Sequence, residues 1–279
     1  MSGTLYVVAT PIGNLEDVSM RALRILREVS LIAAEDTRRT GRLLQHYSIS
    51  TRTTSLHAHN EREKTPRLVE QLMRGESIAL VSDAGTPLVS DPGRALVNAA
   101  RAAGVRVEPI PGPSAVLTLL SVAGFTDREF SFVGFPPHRA KDRKTWFATL
   151  AARADTVVFF EAPHRIEATI GEMTDIIGPQ RVVAVGRELT KAHEQVVICP
   201  INEVLGQLTS LKGEFTIAVS PVAPVSKVPA APPSGDELRR EVGLMTQNGA
   251  TSRRDAVKRV AERHGLAVND VYRLIEHGQ

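Results

Sequence analysis

The sequence predicts an α/β protein, with two successive α/β domains followed by a small helical module of helix-turn-helix type. Three observations carry that expectation. Short apolar runs of strand length alternate with helical segments through residues 1–220. Corners rich in Gly, Ser and Asp follow several of those runs. Beyond a proline-rich stretch, the apolar residues recur at helical spacing only.

The elements follow in order. Residues 4–9, TLYVVA, read as a strand, and Val18, Leu23, Ile25, Leu26 and Val29 mark the apolar side of a helix. Strands are expected at 30–34 and 53–57. Asn60 with Glu63 reads as a helix N-cap and its N3 partner, and that helix runs to about Arg74. The apolar run 77–82 is the next strand. Asp91 then reads as an N-cap with Pro92 in the first helical position, where a missing N–H costs nothing. Gly104 ends that helix and residues 105–109 form a fifth strand. The pattern is that of parallel strands joined by helical crossovers.

The second half repeats the style without repeating the sequence. Strands are expected at 130–135, 156–161, 181–186 and 214–220, with helices near 143–153, 165–177 and 202–209. The prolines of residues 111–113 exclude regular structure, so the boundaries fall at 1–112 and 113–220. Residues 221–235 read as a semi-rigid linker. In the module 236–279, Ala256, Val257, Val260 and Ala261 form one helix face, with Arg254, Lys258, Arg259 and Arg263 directed elsewhere. Gly265 breaks that helix and Asn269 reads as the cap of a second. The module fits either nucleic-acid contact or docking on a partner subunit.

Composition narrows the class. The chain has 279 residues, 42% of them hydrophobic, and its longest apolar runs are too short to span a membrane. No basic flank and long apolar segment open it, so no secretory signal is expected. The lone Cys199 has no internal partner for a disulfide and fits a reducing, cytoplasmic setting. The net charge of +3 is mild. One window is more basic: residues 138–146 set Arg139, Lys141, Arg143 and Lys144 against Asp142 alone. That window fits a solvated helix start or a phosphate contact, with Trp146 free to stack or to pack.

Neither a P-loop nor a G-x-G-x-x-G fingerprint is present, which argues against a P-loop NTPase and a dinucleotide site. The informative corners are others. TPIGNLED (10–17) makes a tight turn after the first strand. SDAGTPLVSDPG (82–93) places Asp83 at a strand end, Gly85 where a backbone can touch a ligand, and Thr86 as a hydroxyl. PGPSA (111–115) brings Ser114 and Ala115 to a helix start with outward N–H groups. FFEAPHR (159–165), GRELTKAHE (186–194) and GEF (213–215) complete the set. His57 and His59 alternate along a strand end and have no metal-ligand partners at suitable spacing, so no metal is expected.

These segments, with LIAAEDTRRTGRLL and LHAHNE, resemble the tetrapyrrole methylase family over residues 4–220. Within it the match is to the branch that methylates small-subunit ribosomal RNA. The resemblance implies two α/β domains with S-adenosylmethionine between them, and a homodimer. It implies 2′-O-methylation of a cytidine ribose in the decoding region of 16S ribosomal RNA. Carried over by position, the cofactor contacts are Ile12, Asp83, Gly85, Thr86, Ser114, Ala115 and Phe160, with Leu189, Glu214 and Phe215 as weaker additions. A weak ribose nucleophile calls for a proton acceptor. Glu35, Asp36, Glu188 and Lys191 stand at strand ends, and Glu188 with Lys191 is the favoured catalytic pair. As a base Lys191 needs a depressed pKa; as a cation it suits phosphate. Arg38, Arg39, Arg42, the 139–144 cluster and the tail are the expected RNA contacts. Two other readings stand beside this one: a corrin-precursor C-methyltransferase, and a non-catalytic RNA-binding protein that retains the pocket.

Overall fold

The computed structural model describes residues 2–125, 129–222, 234–246, 252–264 and 266–277. Most of the expected linker, residues 223–233, and the expected break at Gly265 lie outside them. The chain divides into two compact units, Met1–Val222 and Ala223–Gln279.

The larger unit contains two five-stranded sheets. The first takes β1 (Thr4–Val8), β2 (Leu31–Ala34), β3 (Thr53–Ser55), β4 (Ile78–Val81) and β5 (Arg106–Ile110), in the order β3-β2-β4-β1-β5. Every pairing in it is parallel, as the crossover pattern requires. Helices α1 (Met20–Glu28) and α2 (Thr37–His46) bury Leu23, Ile25, Leu26, Leu43 and Leu44 against one face. Helices α3 (Glu61–Met73) and α4 (Arg94–Ala102) bury Leu68, Leu72, Leu96 and Val97 against the other. Strands covered on both faces must be apolar throughout, and all four residues of β4 are buried.

The second sheet has the order β6-β7-β10-β8-β9. Its strands are β6 (Phe130–Phe132), β7 (Thr156–Glu161), β8 (Val182–Arg187), β9 (Gln195–Pro200) and β10 (Phe215–Val219). Here the expected parallel style holds for β6 and β7 alone; β10 runs antiparallel to β7 and β8, and β8 to β9. Strand β9 was not expected. It is an edge strand that buries Val197 and Cys199 while Val196 and Ile198 face out, so it lacks a continuous apolar run. Helix α5 (Ala115–Ala123) packs on one face of this sheet, and α6 (Ala140–Ala151), α7 (Ile166–Ile177) and the short α8 (Val204–Gln207) on the other.

Two capping expectations in this unit are corrected. Helix α4 starts at Arg94, because Gly93 adopts φ +116° and packs its bare Cα against Leu80; Asp91 is therefore no N-cap. The donors of that helix end go instead to Glu61, whose Oε1 accepts from Gly93 N at 3.1 Å and Ala95 N at 2.6 Å. Asn60 stands before α3 but caps nothing there; its Oδ1 accepts from His57 N at 2.9 Å.

The smaller unit has three described helices rather than two: α9 (Gly235–Thr246), α10 (Arg253–His264) and α11 (Val268–His277). Asn269 is inside α11, so it is no cap. Leu238, Val242, Ala256, Val257, Val260, Ala261, Val271 and Ile275 form its core. Among the described residues no helix is long and apolar enough to cross a membrane.

Candidate active site

Strand order locates the site. β1 and β4 are neighbours, yet the helix after β1 lies on one face of the sheet and the helix after β4 on the other. The chain parts at their carboxyl ends and leaves a crevice, the usual ligand position in an open α/β sheet. The corners leaving these strands are tied together. Thr10 N donates to Gly85 O at 2.9 Å and Gly85 N to Thr10 O at 3.0 Å. Gly85 has φ +77°, and a Cβ there would touch Ile12 Cγ2 at 3.4 Å. Thr86 Oγ1 donates to Pro113 O at 3.5 Å, which draws in the corner before α5.

The second sheet supplies the opposite wall. Thr190 Oγ1 accepts the Asn14 N–H at 3.0 Å. Gly13 approaches so closely that a Cβ would lie 2.5 Å from Lys191 Cγ. The loop that makes this contact holds Glu188 and Thr190 in left-handed conformation, at φ +49° and +66°. Together the walls enclose a cavity of about 350 Å3, lined by Thr10, Ser82, Asp83, Arg39 and Arg42 from one side and Lys191 and Glu214 from the other.

Two charge groups face this crevice. Lys191 Nζ donates to Glu188 Oε1 at 2.8 Å and Glu214 Oε2 at 2.9 Å, and Glu188 Oε1 also accepts from Glu214 N at 2.8 Å. Burial pulls Lys191 down, but the two carboxylates outweigh it and its pKa is raised. Lys191 is thus a firm cation, which removes the expectation that it acts as a base. Burial pushes Glu188 up, and the hydrogen bonds from Lys191 and Glu214 N reverse this, so its pKa is lowered.

The other group is acidic. Asp83 Oδ1 accepts from Asp36 N at 2.9 Å, Asp83 Oδ2 pairs with Arg39 at 3.3 Å, and Asp83 N donates to Glu35 Oε2 at 3.4 Å. Burial raises Glu35, against the lowering effect of that Asp83 N–H. Burial also raises Asp91 to about 6, with Glu35 and Asp83 adding in the same direction and the Ser82 hydroxyl opposing. Asp36 caps α2 and is held well below the carboxylate range by Arg38. Among the described residues no group of three or more His, Cys, Asp or Glu is placed to hold a metal ion.

The family model for Tetrapyrrole (Corrin/Porphyrin) Methylases matches residues 4–205, which hold all of the first sheet and the second sheet up to β9. The chain belongs to the tetrapyrrole methylase family. Its relatives include a protein of Vibrio cholerae named ribosomal RNA small subunit methyltransferase I, 44% identical over 96% of this chain and 93% of that one. A protein of the same name from Escherichia coli O157:H7 is 41% identical over 97% and 94%. Solved structures share the fold. Uroporphyrin-III-C-methyltransferase from Thermus thermophilus has a TM-score of 0.57 at 21% identity, covering 78% of this chain and 94% of that one. Diphthine synthase has a TM-score of 0.60 at 16% identity, covering 78% and 90%. A second Thermus thermophilus uroporphyrin-III C-methyltransferase structure, complexed with S-adenyl homocysteine, has a TM-score of 0.56 at 18% identity, covering 77% and 97%.

In this methylase most of the sequence-selected residues gather at the crevice. Ile12, Ala115, Phe160 and Leu189 join one apolar cluster between the walls. Asp83, Arg39, Arg42, Lys191 and Glu214 line the cavity, and Ser114 caps α5 through Leu117 N. Others part company. Phe215 is 2% exposed within the core under α6 and α7, so its side chain faces away. Arg38 turns to Asp36. Arg143 is bound to Glu172 by two hydrogen bonds, of 2.7 and 2.5 Å, and is not free for phosphate. Arg139, Lys141 and Lys144 are exposed at the start of α6. Thr10, Pro11, Leu15, Thr40, Leu43 and Ser82 line the cavity without having been selected, since none carries a charge or a glycine to mark it.

Proposed function

We propose that the protein transfers the methyl group of S-adenosylmethionine to the ribose 2′-hydroxyl of a cytidine in the decoding region of 16S ribosomal RNA. It acts as a homodimer on the small ribosomal subunit in the cytoplasm. The observation that carries the reading is the cavity itself, which collects cations and carboxylates from both sheets around one crevice. The names of the two bacterial relatives support an RNA substrate over a corrin.

The residues present suit the donor. An adenosyl group needs a flat apolar cradle with little side chain in the way, and Gly85 with Ile12, Ala115, Phe160 and Leu189 provides one. Asp83 and Glu214 offer acceptors to its hydroxyl and amino groups. When bound, it supplies an electrophilic methyl on a sulfonium for in-line displacement by the ribose oxygen.

The chain does the rest by positioning. Glu188 is ionised at neutral pH and takes the proton that the 2′-hydroxyl loses. Lys191 fixes Glu188 and presents its cation to the nucleotide. Arg39, Arg42, Arg139, Lys141, Lys144 and the exposed Arg253, Arg254, Lys258 and Arg259 of α10 neutralise backbone phosphates. Leu117 and Val122, both exposed on α5, offer apolar surface to a second copy.

Labelled methyl transfer to small subunits from a strain lacking the activity, followed by nuclease mapping, tests the reading. Label on the 2′-oxygen of one cytidine is expected. Label on a base, or labelling of a uroporphyrinogen instead of RNA, overturns it.

A further inference from the structure

Alternation along β8 places Val183, Val185 and Arg187 on one face, so Arg187 ends an apolar row. It is 8% exposed, and burial of a charge is costly without a partner. Its Nε donates to Lys212 O at 2.6 Å and its Nη1 to His193 O at 3.0 Å. Both acceptors are neutral carbonyls, and among the described residues no carboxylate forms an ion pair with it. A guanidinium has five N–H donors, so most of its capacity is unspent.

Arg187 lines a second cavity, of about 370 Å3, with His193, Glu194, Thr209 and Ser210. Glu194 already accepts from Thr190 N through Oε2. Thr209 gives its N–H and its hydroxyl proton to Gln195 Oε1, at 3.0 and 2.9 Å. Ser210 Oγ accepts from Lys212 N at 3.1 Å, which leaves its own proton to donate. The segment 188–194 separates this cavity from the crevice: Lys191 lines one and His193 and Glu194 the other.

We propose that the Arg187 cavity is a phosphate subsite for the RNA chain, gripping the backbone behind the loop that carries Glu188 and Lys191. The proposal rests on the RNA reading above. A planar guanidinium with free N–H groups matches a phosphate in charge and shape.

The test measures binding of the full chain to small ribosomal subunits across a potassium chloride series, with calorimetry of S-adenosylmethionine as control. Two variants are compared, Arg187→Gln and Ser210→Asp; the second adds a carboxylate while leaving both carbonyl bonds of Arg187 in place. Each is expected to weaken subunit binding by about five- to tenfold at moderate salt and to flatten the log–log salt slope by about 0.7–0.9. Binding of S-adenosylmethionine stays at the wild-type value. A wild-type slope in Ser210→Asp overturns the subsite alone, as does loss of S-adenosylmethionine binding in that variant, which marks a structural role. Failure of the wild type to bind subunits overturns the RNA reading with it.

Discussion

The Thr190 hydroxyl accepts the Asn14 N–H at 3.0 Å, joining a loop of the second sheet to the first corner of the first sheet. The residues are far apart in sequence, yet this bond closes the crevice. It is possible only because Gly13, between Ile12 and Asn14, has no side chain. A Cβ there would lie 2.5 Å from Lys191 Cγ and 2.7 Å from Thr190 Oγ1.

Gly13→Ala therefore forces the two walls apart without disturbing either core. Misplacement of about an ångström can cost about 10²-fold in a positioned reaction. The variant is expected to lose methyl transfer on that scale while keeping its melting temperature within a few degrees. Thr190→Val, which removes the acceptor alone, is expected to lose less. Steady-state kinetics beside a thermal melt separates the two effects.

Much of this was legible in the chain. Gly13, Gly85, Asp83 and Lys191 all stand in short corners after apolar runs, and the structure brings those corners to one crevice. Phe215 was not legible, because alternation along β10 decides which face a side chain takes and a motif does not. Arg143 misled for a related reason: Glu172, its partner, is on the next helix and leaves no local mark. Asp91 before a proline has the sequence of an N-cap, and only the φ of Gly93 moves the helix start past it.

Asp91 carries a pH signature of its own. Its folded pKa, about 6, stands above the ordinary 3.8 because burial disfavours the charged form. The protonated form is the one favoured by folding. Its contribution to stability is complete below pH 3.8 and is lost as pH rises through 6. Asp91→Asn removes this loss. The variant is expected to melt about 2–4 °C above wild type at pH 8 and level with it near pH 4. Equal melting temperatures at pH 8 would contradict the assignment.

Glu61 holds the other end of the same loop. Its Oε1 accepts from two N–H groups at the start of α4, serving as a cap supplied by a neighbouring helix. Glu61→Ala is expected to cost about 1–2 kcal/mol and to lower the melting temperature by about 2–6 °C. The corner that carries Asp83 and Gly85 precedes this cap in the chain. Affinity for S-adenosylmethionine, read by calorimetry, is expected to fall with stability rather than remain intact.

Arg143 and its neighbours divide by partner. The Arg143–Glu172 pair has side chains only 12% and 19% exposed, and the contact raises Arg143 while lowering Glu172. Arg143→Ala strands a carboxylate against the core and is expected to cost about 2–3 kcal/mol. It is expected to leave the salt dependence of RNA binding unchanged, since the guanidinium is engaged by Glu172 and the His138 carbonyl. Lys141 and Lys144 are exposed one residue from the start of α6 and one turn further on. Converting both to Ala is expected to leave stability within about 0.5 kcal/mol of wild type. The same change flattens the salt slope of subunit binding by about 1.4–1.8, from two lost phosphate contacts. Urea melts and salt-series binding on the two variants should give opposite outcomes; a shallower slope in Arg143→Ala would show that the ion pair opens to admit RNA.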